Sequence, residues 1–433
     1  MYNSISGPYF GIWVFHTPHF VAKDPEIIKQ ILVKDFKYFP DRTIASNEEA
    51  DEIAANVLFI MKNPNWKALR SKMTPVFSSG KIKCMIPLMN SVAEELVGYL
   101  AKLSSQSDSI EIKEVCAKYA TDVVTSCAFG IEGRSFEKED GAWRSVGRDM
   151  FAFTFANGLR STSYFFLPKL VDLFKIKFIP AHVSQFMIDA MKILTDTDLI
   201  DILIKLQNED FDGYKFEGTR VIAQAAQFFL AGFETTASTV SYTLYELCLN
   251  RSIQDKLVTE IKTTLQQHGS VTYEAIQDMK YLHKVVQEIL RKYPVLPFLD
   301  RTTMMDWKIP GTDITLEAGT PVYIPLFALH HDPKYFPNPE VFDPERFSEE
   351  NINSRPCFTY IPFGGGPRNC VGERFGLIST KLALVHILSR FEVECSSETP
   401  VPIDFEPKTF VLASKVGLPM RVVDVKRRPS YAA

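Results

Sequence analysis

The chain of 433 residues is 46% hydrophobic and 23% charged, a composition that buries a large core and excludes a disordered, collagen-like or acidic-tail protein. Its net charge of −4 gives no electrostatic basis for binding nucleic acid. Seven cysteines, odd in number and without a C-x-x-C pair, argue against a disulfide scaffold or zinc knuckle and for a reducing compartment; one of special role among six buried ones is the expectation.

The opening segment Gly7 to Ala22 is too short to cross a bilayer and contains His16, Pro18 and His19, and no cationic start with an apolar run marks a signal peptide. Residues 8–22, rich in aromatic and β-branched side chains, predict two short strands with a turn at Thr17-Pro18. Asp24-Pro25 predicts a helix start, with Ile27, Ile31 and Leu32 on one face. From about 85 to 290 the pattern is mostly helical: Met85 to Leu103, Ile112 to Phe129, Asp198 to Gln207 and Arg220 to Leu249. Prolines and glycines between 293 and 325 separate short β-like runs such as Val322 to Ile324, and residues 332–347 form a Pro-rich meander without a regular period, which in a compact domain is functional or tightly packed. A last helix follows Cys370, with Phe375, Ile378, Leu382 and Val385 as its buried stripe. The tail from about 391 reads as strands. No repeat or low-complexity linker interrupts the chain, so the fold class is mainly α with a small β portion at both ends.

Three features carry chemistry. Phe363-Gly-Gly-Gly-Pro-Arg-Asn-Cys370-Val-Gly372 opens like a phosphate loop, but no Gly-Lys-Ser/Thr follows. Its glycines permit close approach of backbone to something flat. Cys370 stands at a helix start, where free N–H groups and the helix dipole stabilise a thiolate shielded by Phe363. A nucleophile would want a nearby His, and no distinctive one is offered; a finger site would want a second Cys or His. A lone axial ligand to a cofactor metal fits better, with a buried Cys in a Gly-rich turn as the plain alternative. The second feature is Ala231-Gly232-Phe233-Glu234-Thr235-Thr236 inside a long apolar helix. Gly232 weakens the helix, and a Thr hydroxyl can bond a carbonyl one turn back. Together they open the helix to water, or else form an ordinary kink with a solvated Glu. The third is Glu288-x-x-Arg291, an i,i+3 ion pair also matched by Glu217-x-x-Arg220, but distinguished by the Pro-rich segment after it; Arg346 lies in that meander. Trp66-x-x-x-Arg70 is weaker. His330-His331 and His16-x-x-His19 read as solvated loop histidines.

These motifs, in this order, resemble those of the cytochrome P-450 superfamily of haem-thiolate monooxygenases, from about residue 8 to the end, and most of all the microsomal group of vertebrate family 3 and insect family 6. The resemblance implies a single haem-binding unit over 1–433, residues 1–22 opening its small β-rich lobe. It implies haem b with Cys370 as proximal thiolate ligand, and Trp66, Arg70, Arg301 and Arg368 holding the propionates. Phe363 and Gly372 would pack near the thiolate and ring. Glu234 and Thr235 would relay protons to bound dioxygen, and Glu288, Arg291 and Arg346 would form a buried structural network. Leu58, Phe59, Ile60, Phe228, Ala231, Val295, Leu296 and Val411 would line an apolar substrate pocket selecting by shape and size.

The implied reaction inserts one oxygen atom from O2 into a lipophilic small molecule, a xenobiotic or an endogenous lipid. Electrons would come from NADPH through a flavin reductase docking near Lys67, Lys72, Lys81, Lys83 and Arg374, with cytochrome b5 as a further partner. The implied location is the cytoplasmic face of the endoplasmic reticulum. Against the family pattern, the chain lacks the N-terminal anchor and Pro-rich hinge, so that it is either a fragment or a form in peripheral contact with the membrane. The stretch near 191–201 is short by roughly a dozen residues before the helix carrying Leu203 and Leu206. Two alternatives follow: a haem-thiolate isomerase or dehydratase, against which the Glu234-Thr235 pair argues, and a haem protein without turnover.

Overall fold

The computed structural model describes residues 2–138, 141–193, 203, 206 and 215–425. Short strands bracket a helical body. β1 (Tyr9–Val14) and β2 (Thr17–Ala22) form a hairpin; β3 (Ile110–Glu111) stands alone among the helices; β4 (Leu299–Thr302), β5 (Trp307–Lys308), β6 (Thr315–Leu316) and β7 (Pro321–Ile324) fall in the proline-rich region; β8 (Phe391–Cys395) and β9 (Pro419–Asp424) come last among the described residues. They build a four-stranded sheet in the order β1-β2-β7-β4, a three-stranded sheet β3-β9-β8 and the small β5-β6 pair.

The first hairpin turns at Phe15-His16 and not at Thr17-Pro18. Phe15 takes a left-handed φ of 54°, while Thr17 and Pro18 pair with Val14 and Trp13. Proline has no N–H to give a ladder, and Pro18 lies outside the part of β2, Phe20 and Val21, that pairs with β7.

The helices, in chain order, are α1 (Pro25–Lys29), α2 (Glu52–Asn56), α3 (Asn65–Met73), α4 (Ser79–Leu103), α5 (Ile112–Phe129), α6 (Ala142–Phe151), α7 (Phe155–Phe166), α8 (Pro168–Phe174) and α9 (Ala181–Ile193). After these come α10 (Thr219–Leu249), α11 (Arg251–His268), α12 (Tyr273–Asp278), α13 (Lys280–Lys292), α14 (Leu326–His330), α15 (Glu349–Ser354) and α16 (Glu373–Leu388). α1 starts where expected, the Asp24 carboxylate accepting the N–H groups of Glu26 and Ile27 at 2.9 and 3.3 Å. α4 begins six residues before Met85, because its first turns carry only Ile82 as a buried apolar residue and so lack the stripe that marks a helix in sequence. α5 keeps its expected bounds and ends on Gly130 in the left-handed region, φ 61°. The expected helix Asp198 to Gln207 and the short segment near 191–201 fall largely outside the described residues; Leu203 and Leu206 are helical and buried.

α10 is the axis of the core. It has 31 residues and is buried along most of its length, with α5 against one side. Gly232 does not open it: the helix is continuous. A Cβ there would lie 2.7 Å from Cγ2 of Val124, so the glycine is the point where α5 crosses closely.

α13 is fastened to the meander by buried charge. Glu288 and Arg291, both fully buried, pair at 2.7 and 2.8 Å. Arg291 also donates to the carbonyls of His330 (3.0 Å) and Pro339 (2.8 Å). Glu288 Oε1 accepts the Asp343 N–H at 3.0 Å and has Arg346 Nε 3.3 Å away. Three of the four histidines singled out, His19, His330 and His331, are not the solvated loop residues expected. His330 is fully buried, its Nε2 accepts the Ile361 N–H at 3.1 Å, and burial holds its pKa down to about 3, so it stays neutral. His19 is buried with its ring stacked on Tyr323, and His331 stacks on Phe327. His19 lies within β2, His330 ends α14 and His331 caps it, so each is carried inward by its element; His16, in the hairpin turn, stays exposed.

Removing the acid from this assembly leaves Arg291 uncompensated, which costs about 3–5 kcal/mol for a broken buried pair. Glu288→Ala is therefore expected to lower the urea midpoint of the cofactor-loaded protein by that equivalent; an unchanged midpoint would show the assembly to be dispensable.

Candidate active site

The glycine-rich loop is shaped by one contact. Gly366, at φ +70°, lies against the backbone that continues α1, and a Cβ there would stand 1.9 Å from the Leu32 carbonyl oxygen. Gly364, at φ +75°, makes the preceding bend. The Cys370 N–H donates to the Phe363 carbonyl at 2.8 Å, which closes the loop and turns the sulfur into the interior. Cys370 stands two residues before Gly372, the residue that caps α16. Its surface is open, but onto a cavity walled by protein. That enclosure pushes the thiol up from its ordinary pKa, while the Gly372 N–H and the guanidinium groups of Arg70 and Arg42 pull it down. The loop donors and guanidinium groups offset part of that enclosure, and a metal cation at the sulfur would favour the thiolate further.

The cavity lies between α10 and this loop. Phe228, Ala231 and Thr235 face it from α10, and Phe363, Cys370 and Gly372 from the loop. Leu58, Phe59 and Ile60 enter from the segment after α2, Val295 and Leu296 from the segment after α13, and Val411 from the last loop. All eight residues expected of an apolar pocket therefore line one space. Phe410 and Thr236 also line it and were not anticipated.

One end of the cavity is cationic. Trp66, Arg70, Arg301 and Arg368 line it, joined by Arg42, which no motif in the sequence singles out. Arg368 lies over the Trp66 ring at 4.1 Å and donates to Asp41 and the Met61 carbonyl, each at 2.9 Å. Arg42 pairs with Asp300 at 3.1 Å. Arg70 donates to the Asn369 side chain at 2.9 Å. Arg301 is almost wholly buried; its Nη1 reaches the Asp300 carbonyl at 2.7 Å, but its Nε has no partner. Burial drives the pKa of Arg301 well down, as it does that of Arg368, held at about 9. Four guanidinium groups facing two carboxylates, one with an orphaned donor, call for an added anion.

Glu234 and Thr235 point in different directions. Thr235 lines the cavity and donates to the Ala231 carbonyl at 2.7 Å. Glu234 faces α5, where its carboxylate accepts from Lys113 Nζ at 2.7 Å and Ser238 Oγ at 3.3 Å. Lys113 also donates to Ser238 Oγ at 3.0 Å and is about a quarter exposed. The Glu is thus a paired, buried group and not a solvated one. Lys113 was missed, because only the packing of α5 on α10 brings it there.

These residues fit a flat, dianionic, metal-bearing group. A thiol stands at one wall, orphaned positive charge at one end, and Gly376 of α16 lines the cavity with no atom within 4 Å of where its Cβ would be. Comparison with known proteins gives the same class. The cytochrome P-450 family model matches residues 1–418. The chain is 43% identical to cytochrome P-450 6k1 of Blattella germanica, over 98% of this chain and 86% of that protein. It is 39% identical to cytochrome P-450 6j1 of the same organism (97% and 85%) and 37% identical to cytochrome P-450 6a2 of Drosophila melanogaster (97% and 87%). A haem-thiolate fold is what the site defines, and the chain belongs to the cytochrome P-450 family, among relatives of insect family 6. It is a monooxygenase that takes haem b, O2 and a small-molecule substrate, with electrons from NADPH delivered by a reductase.

Serine in place of the thiol keeps the loop but removes the soft donor. Cys370→Ser is expected to abolish the red-shifted Soret band of the reduced, CO-bound form, read in an absorption spectrum; persistence of that band would move the ligand elsewhere.

Proposed function

We propose that this chain oxidises a lipophilic small molecule, a xenobiotic or an endogenous lipid, held among Leu58, Phe59, Ile60, Phe228, Ala231, Val295, Leu296 and Val411. The observation that carries the reading is the continuity of that apolar wall with Cys370 and Thr235 in one cavity. Haem, when bound, supplies the activation of dioxygen. Cys370 Sγ would ligate its iron. Arg301, through its free Nε, and Trp66, Arg70 and Arg368 would hold its propionates, and Phe363 and Gly372 would pack beside the sulfur. Apolar walls exclude water and select by shape.

In the proton supply, Lys113, which reaches solvent, would hold the Glu234 carboxylate on the outer side of the helix, and the Thr235 hydroxyl, the group of this motif that faces the cavity, would serve the inner side. Glu288, Arg291 and Arg346 lie outside the cavity, which supports a structural role. Lys67, Lys81 and Arg374 are exposed and Lys72 half-buried near the Cys370 loop, a basic surface suited to the reductase and to cytochrome b5; Lys83 is paired with Glu274 at 2.5 Å. Among the described residues no helix is long and apolar enough to cross a membrane. Exposed Trp13 and Phe15 on the hairpin, with Phe155, Leu173 and Phe174 on α7 and α8, support peripheral contact with the cytoplasmic face of the endoplasmic reticulum membrane.

Thr235→Ala is expected to leave haem and substrate binding nearly intact, since the hydroxyl bonds only its own helix. Proton delivery of this kind contributes about 10²–10⁴-fold. The ratio of product to NADPH consumed should therefore fall steeply and hydrogen peroxide release rise, all three read in one reductase-coupled assay. An unchanged ratio would remove Thr235 from the relay.

A further inference from the structure

Away from the cavity, two thiols lie in contact. Cys248, next to the last residue of α10, and Cys395, the last residue of β8, hold their Sγ atoms 3.3 Å apart across 147 residues of sequence. Cys395 is exposed and Cys248 half-buried. The backbone on each side is pinned. Gln254 of α11 exchanges two hydrogen bonds with Val393, both 2.9 Å, and Arg251 pairs with Glu392 at 2.9 Å. Tyr245, one turn before Cys248, donates its hydroxyl to the Pro400 carbonyl at 2.8 Å. A disulfide brings sulfurs to about 2.05 Å, so the two need approach by only about 1 Å from where these anchors hold them.

We propose that Cys248 and Cys395 are a redox modification site at which hydrogen peroxide converts the thiol pair to a cystine. Cys395, the more accessible, attacks first as the thiolate. Its sulfur takes one peroxide oxygen, the O–O bond breaks, and a sulfenic acid and water result. Cys248 sulfur then attacks the sulfenic sulfur. The S–S bond forms, the S–O bond breaks, and the hydroxyl leaves as a second water with the thiol proton. Two electrons pass from the sulfurs to the peroxide; two thiols and one peroxide give one disulfide and two waters. Burial and the neighbouring sulfur hold the Cys248 thiol well up, which leaves the first attack on peroxide to the exposed Cys395. The bond would close a covalent loop containing Glu288, Arg291, Arg346 and Cys370. A dithiol reductant returns the pair to two thiols by exchange: its two sulfurs give up two electrons and two protons and close to their own disulfide as the Cys248–Cys395 bond breaks.

The test uses the full, haem-loaded chain. After brief treatment with hydrogen peroxide, free thiols are alkylated and the digest is mapped by mass spectrometry without reductant. The expected result is a peptide pair linked through Cys248 and Cys395 in most molecules, absent after dithiothreitol, with the exposed Cys84 and Cys357 alkylated. Cys395→Ser should abolish the linked pair, while the map of the unmutated chain stands without any variant. Cys248 and Cys395 each recovered alkylated, each singly oxidised to sulfinic acid, or linked to other cysteines would overturn the proposal.

Discussion

A single continuous helix, buried along most of its length, is the constraint on which the rest of the molecule depends. α10 is at once the axis of the core and the wall of the cavity. Its period of 3.6 residues sends neighbours in sequence to different places. Ala231, Thr235 and Thr239 recur at i+4 and line the cavity, while Glu234 and Ser238, also at i+4, turn toward Lys113 on α5. The close crossing at Gly232 sets the spacing of the two helices, and with it the reach of Lys113 to the Glu234 carboxylate. An acid and an alcohol adjacent in the chain are thereby divided between a solvent-side ion pair and the inner wall.

Two assemblies of buried charge serve different ends. Around Glu288 one carboxylate is shared by Arg291 and Arg346: every carboxylate contact described is an arginine or a backbone N–H, and the effect is to lash the irregular segment 332–347 to α13. At the cavity a buried guanidinium is left over. Arg42 and Arg368 are held by Asp300 and Asp41, but Arg301 keeps an unpartnered Nε. Unpaired buried charge is costly in a closed protein; a bound dianion beside it removes that cost, so the protein and its cofactor are complementary in charge as well as in shape.

The cysteines divide in a way that composition does not foresee. Only Cys116 and Cys127 are buried core residues, where burial raises both thiols to about 12. Cys84, Cys357 and Cys395 reach the surface and Cys248 is half-buried, so an expectation of six buried sulfurs fails for four. A small apolar side chain is equally at home at the margin of a helix or the end of a strand, and nothing in its neighbours' sequence says which.

What the sequence alone determined was whatever is encoded locally: the long helices, whose apolar stripes repeat with the helical period; the start of α1 at Asp24-Pro25; and the glycine-rich loop presenting Cys370. The pocket residues and the arginines Arg301 and Arg368 were legible only through resemblance to a family, since their segments lie far apart in the chain and share no period. Tertiary structure decided the rest. It placed the hairpin turn at Phe15-His16, because strand pairing and not the Thr-Pro dipeptide fixes the register. It buried His19 and His330, kept α10 whole across Gly232, and brought Lys113 to Glu234 and Cys395 to Cys248. Each of these depends on which helix or strand lies alongside, and a contact between residues more than a hundred positions apart leaves no periodicity in either segment by which it could be read.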